Sequence, residues 1–101
     1  MIDLADLPGG EVMQSGLADL AAGQESVASY LVKIASRRLR SCGIPVEVAG
    51  EEALEADHRL YDLLVREHGD EAYGRYNSLL RELVSFERAL EGRHSRLLAS
   101  A

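Results

Sequence analysis

Residues 71–93 read EAYGRYNSLLRELVSFERALEGR, and apolar side chains recur through them at steps of three and four. Ala72, Tyr73, Tyr76, Leu79, Leu80, Leu83, Val84, Phe86 and Leu90 therefore share one helical stripe, wide enough to meet two neighbours. This segment is expected as the longest helix and the spine of the fold, with Asp70 as its N-cap. Upstream, a third helix is predicted over about Glu51 to His68, presenting Leu54, Leu60, Tyr61, Leu64 and Val65 and stopping at Gly69. A second runs from about Glu25 to Cys42, with Val27, Tyr30, Leu31, Ile34, Ala35 and Leu39 on one face, and Gly43-Ile44-Pro45 ends it. The first spans about Pro8 to Ala22, with Val12, Met13, Leu17 and Leu20 in its stripe and Gly23 placed as its stop. Gly16 falls inside that stripe, where a missing side chain predicts the close approach of another backbone.

Short connections make consecutive helices antiparallel neighbours. The expected fold is all-α, an antiparallel four-helix bundle or two packed helical hairpins, in a single helical domain over residues 1–101. Residues 1–7 and 94–101 are expected as mobile tails outside the helical body. Pro45 to Val48 has no partner strand, so Ile44 to Gly50 reads as a loop.

The chain has 101 residues, 47% hydrophobic and 28% charged, which suits one compact domain. Its net charge is −6, from seventeen acids and eleven bases, divided as −2 over residues 1–50 and −4 over residues 51–101. Such a chain approaches nucleic acid with long-range repulsion, which excludes a broad DNA-coating role. Cys42 is the single cysteine and forms no internal disulfide, while the N-terminus has neither a basic region nor an apolar run of the secretory kind. The chain reads as cytoplasmic. No uncharged apolar run approaches the roughly 20 residues of a membrane span, so no membrane contact is expected.

Few residues suit catalysis. Cys42 lies at a helix C-terminus, where the dipole opposes a thiolate, so it reads as a structural thiol. No nucleophile elbow or phosphate-binding G-x-x-x-x-G-K-[ST] loop is present. Glu55-Ala56-Asp57-His58 and Glu91-Gly92-Arg93-His94 have the Glu-x-x-His form that holds di-iron centres in helical bundles. The turn at Gly69 separates the two histidines by roughly 20 Å along the bundle axis, so no metal and no cofactor are expected.

Arg38 and Glu87 fall on apolar stripes and are candidate buried polar residues. A charge there must be paired or must emerge at the stripe's edge. Arg38 is expected to lay its stem on the core edge with its head in water, and Glu87 to form a salt bridge between helices or to lie in an interface. Lys33, Arg37 and Arg40 form a basic strip on the outer face of the second helix, suited to its C-terminal dipole or to an acidic partner surface or RNA. Glu55 with Arg59, Asp62 with Arg66 and Glu71 with Arg75 are acid-before-base pairs four residues apart, the mark of solvated faces.

The segment Arg88-Ala89-Leu90-Glu91-Gly92-Arg93-His94 resembles the Arg-x4-6-His motif of the HEPN family, all-α proteins that include metal-independent ribonucleases. The resemblance covers seven residues. It implies an RNA-binding or RNA-cleaving domain in which Arg88 and His94 assemble across a dimer. The leading expectation is instead a helical protein without catalytic activity that works through protein–protein contact or self-assembly, as a homodimer or with a protein partner. Leu97 and Leu98 would be costly to leave as an exposed apolar patch, and with Phe86 and Leu90 they form the candidate interface.

Overall fold

The computed structural model describes residues 4–100, and every regular element in them is helical. A 3-10 turn over Leu4–Asp6 leads into α1 (Gly10–Ala21), followed by α2 (Val27–Ser41) and α3 (Gly50–His68). A second 3-10 turn over Gly69–Glu71 joins α3 to α4 (Ala72–Ser100), which at 29 residues is the longest element. The all-α expectation holds. Residues 44–49 carry no regular element, in keeping with their reading as a loop.

The ends of the helices follow from local chemistry. α1 begins at Gly10 instead of Pro8, because Gly9 sits at φ +72°, outside the helical region. At its far end Gly23 N–H donates to Leu20 O and Gln24 N–H to Asp19 O, the paired bonds of a Schellman stop. α2 opens on a capping box: Ser29 N–H donates to Ser26 Oγ at 3.1 Å, and Ser26 N–H to Ser29 Oγ at 2.9 Å. Ser26 Oγ also donates to Asp19 Oδ2 at 2.7 Å, tying the start of α2 to the end of α1. Asp70, expected as the cap of α4, lies inside the 3-10 turn that precedes it.

α1 and α2 pack as an antiparallel pair around Gly16. A Cβ at that position would lie 2.3 Å from Ala28 O and 2.5 Å from Val32 Cγ2, so the predicted close backbone approach is present. α3 returns along α2, with Arg59 reaching Glu25 and Lys33 reaching Glu52. α4 folds back on α3, where the Tyr76 and Tyr61 rings meet edge to face with centroids 5.4 Å apart and the Tyr76 hydroxyl donates to Asp57.

The spine differs from expectation. α2 touches α1, α3 and α4, and supplies Tyr30, Leu31, Val32, Ala35 and Leu39 to the core. α4 contributes Ala72, Leu83, Phe86 and Leu90, while Tyr73 and Val84 from its predicted stripe face solvent. On α3, Ala56, Leu60 and Leu64 are buried, but Leu54 is 77% exposed and Val65 is also exposed. The reason is geometric: helical periodicity states which residues share a face, and a stripe wider than its neighbour leaves its margin in water. Of the stretches expected outside the helical body, residues 4–7 bury Leu4 and Leu7, and residues 94–100 complete α4. Residues 1–3 and 101 lie outside the described residues.

Candidate interaction surface

The last three turns of α4 depend on what anchors the helix before them. α2 and α4 run parallel, each being antiparallel to α3, and Arg38 clasps both Glu87 and Glu91. Arg38 Nε lies 3.2 Å from Glu87 Oε2, and Arg38 Nη1 donates to Glu91 Oε1. Beyond Arg38, α2 has three residues left and α4 beyond Glu91 has nine, so α4 outruns α2 by about 9 Å at 1.5 Å per residue. Residues 95–100 are exposed throughout. Leu97 continues the seven-residue series Tyr76, Leu83, Leu90 on the core side of the helix, yet it is 48% exposed; Leu98 is 65% exposed.

This divides the four candidate interface residues. Phe86 and Leu90 are wholly buried in the chain's own core, so they are corrected from interface to core residues. The packing of Phe86 against Gly9 at the head of α1 shows why: that part of the stripe lies alongside the chain's own N-terminal elements. Leu97 and Leu98 remain as surface.

Arg38 is exposed and not a buried polar residue, and its head reaches water as expected: the guanidinium meets the two glutamates, which raise its affinity for its proton. Glu87 is largely covered, and burial pushes its carboxyl above the usual range against the opposing pull of Arg38. The two pair within one chain. Among the described residues, the buried polar ones are Ser29 and Ser36. Ser29 was legible as the second half of a Ser-x-x-Ser cap, since a hydroxyl bonded to local backbone loses little by burial.

The basic strip is broken at its first member. Lys33 Nζ leans 5.9 Å over the Tyr30 ring and 3.9 Å from Glu52 Oε2, which leaves Arg37 and Arg40 exposed. Two of the three acid-base pairs are formed, Glu55 with Arg59 and Glu71 with Arg75, each at 3.4 Å. Cys42 caps α2 and is buried, and desolvation raises its thiol above the ordinary range, the opposite of what a nucleophile needs.

An open cleft of about 830 Å³ lies between the start of α2 and the outer side of α3, lined by Glu25, Tyr30, His58, Arg59 and Arg66 among others. Its charges already answer one another, as Arg59 is held by Glu25 and Glu55. A groove of about 600 Å³ runs beside the Arg38 clasp, lined also by Ile34, Arg37 and Ser41. Among the described residues no three His, Cys, Asp or Glu side chains gather as a metal site would require. Asp57 and Tyr76 are level on the hairpin, so His94, 18 residues beyond Tyr76, stands about 27 Å along the axis from His58. Arg88 and His94 lie on one unbroken helix, six residues and so about 120° apart, with Arg88 exposed and His94 partly covered. One chain does not bring them together.

No protein-family model matches the chain, and neither a curated protein nor a solved structure matches it. No helix among the described residues is long and apolar enough to cross a membrane.

Proposed function

We propose that this protein acts by contact with another protein chain, that it associates with itself, and that it performs no catalytic step of its own. In this reading the body is an antiparallel four-helix bundle of two hairpins, working in the cytoplasm, where the lone Cys42 stays reduced. The observation that carries it is the overhang of α4. Leu97 sits where Tyr76, Leu83 and Leu90 predict a core residue, yet it is 48% exposed. An apolar side chain in a series of that kind gains from burial by roughly 1.5–3 kcal/mol, and a second chain is the means of burying it.

The test replaces both leucines, Leu97→Ser with Leu98→Ser, and follows mass by light scattering over a concentration series. The expected result is a native chain that forms a larger species and a variant that forms it at least about tenfold less readily, one such side chain being worth a factor of ten or more. Equal association of the two proteins would contradict the role given to the overhang.

A further inference from the structure

Of the three acid-before-base pairs that the spacing predicts, Asp62 with Arg66 is the one that does not form. Both side chains are exposed, both line the open cleft beside the start of α2, and neither has a hydrogen bond or ion pair among the described residues. They stand four residues apart on α3, about 6 Å along its axis. The other opposed charges of the cleft are spent on one another, Arg59 being held by Glu25 at 3.3 Å and by Glu55 at 3.4 Å. Asp62 and Arg66 are thus left as an unanswered anion and cation on one wall.

The wall that α2 contributes supplies a third unanswered group. Tyr30 is only 4% exposed and packs within the core, yet it lines the cleft, and its hydroxyl has no hydrogen-bond partner among the described residues. No wholly buried side-chain oxygen or nitrogen among those residues lacks a partner, so the hydroxyl is the part of Tyr30 that reaches the cleft. A buried tyrosine ordinarily finds a partner for its hydroxyl, and phenylalanine would fill the same core position without needing one. Its opening on the cleft suits a polar occupant.

We propose that this cleft binds a small zwitterion whose ammonium and carboxylate lie about one helical turn, roughly 6 Å, apart, as at the two ends of a dipeptide. The ammonium is placed at Asp62 and the carboxylate at Arg66, and the Tyr30 hydroxyl bonds the polar body of the ligand. Charge selects this class. A simple anion at Arg66 would meet Asp62 one turn away, and a simple cation at Asp62 would meet Arg66, whereas a ligand of both signs answers both. An exposed ion pair four residues apart is weak enough for such a ligand to replace. The cleft's volume of about 830 Å³ is that of a small-molecule site, and Val65, 45% exposed on the same lining, offers apolar contact to the carbon body. This site lies beside the start of α2 while the α4 overhang lies past its end, so the two are independent.

The test follows amide chemical shifts of the native chain during titration with dialanine, with N-acetyl-dialanine, which lacks the cation, and with dialanine amide, which lacks the anion. Dialanine is expected to give saturable shifts at residues lining the cleft, and each capped form is expected to bind at least about tenfold more weakly. Asp62→Asn and Arg66→Gln, with helical circular dichroism unchanged, are each expected to weaken dialanine by about tenfold. Asp62→Asn is expected to leave N-acetyl-dialanine within about twofold of its native affinity, since that ligand has no ammonium to lose. Tyr30→Phe is expected to weaken dialanine by about fivefold, the worth of one neutral hydrogen bond. Absence of saturable binding into the tens of millimolar, capped forms that bind as well as dialanine, or shifts confined to other parts of the chain would overturn the site. A chain that self-associates and binds no dialanine loses this site and keeps the proposed function.

Discussion

Between α1 and α2 the backbones themselves touch, with Gly16 pressed against the Ala28 carbonyl, whereas α3 and α4 meet through Tyr76, whose ring leans on Tyr61 and whose hydroxyl reaches Asp57. The first hairpin is closed at both of its ends by local bonds, the Schellman stop at Gly23 and the Ser26–Ser29 cap that also binds Asp19. The second turns through a 3-10 segment and is held apart by side chains. Of the seven large apolar residues exposed among the described residues, Val12 alone belongs to the first hairpin and six belong to the second. Backbone contact fills its own interface, while side-chain spacers leave their outer margins to water or to a partner.

Alanine substitution at glycines within the two hairpins breaks this comparison most sharply. Gly16→Ala forces a methyl group into backbone that cannot yield, so it is expected to cost about 3 kcal/mol or more, the upper range for overpacking, in urea unfolding. Gly74→Ala lies on α4 with nothing within 4 Å of the new methyl and no positive φ, so it is expected to stabilise by about 1 kcal/mol through helix propensity alone. Equal signs at the two positions would show that the hairpins are not packed differently.

Tyr76→Phe sharpens the same contrast with a smaller effect, a loss of about 1 kcal/mol or less, because the bond it removes is open to solvent. The Tyr76 phenol is pushed up to about 12, first by its bond to Asp57, then by partial burial, from an unfolded value near 10. A group whose proton is held more tightly in the folded state stabilises below its unfolded value and loses that contribution as pH rises through the folded one. Native stability therefore declines between about pH 10 and pH 12 on this account, and Tyr76→Phe is expected to flatten that part of the profile.

Much of the fold was legible because its signals are local. Gly16 inside an apolar stripe announced a close contact, Gly23 and Gly43-Ile44-Pro45 announced the helix ends, and Glu87 on an apolar stripe announced a bridge between helices or an interface. The spine and the interface were misjudged for one physical reason. A stripe counts apolar residues but not the neighbours available to cover them, so Tyr73 and Val84 were credited to the core and Phe86 and Leu90 to a surface. Burial depends on how far each neighbour extends, and α2, of only 15 residues, ends well before α4 does. Lys33 shows the same limit, since its place in a basic strip was set by spacing and its actual direction by Tyr30 and Glu52.

Sedimentation equilibrium of the native chain, from micromolar to millimolar concentration at neutral pH, addresses the central claim most directly. The account predicts a reversible rise from the 11.0 kDa chain mass to twice that value. A single 11.0 kDa species across the whole range would contradict it.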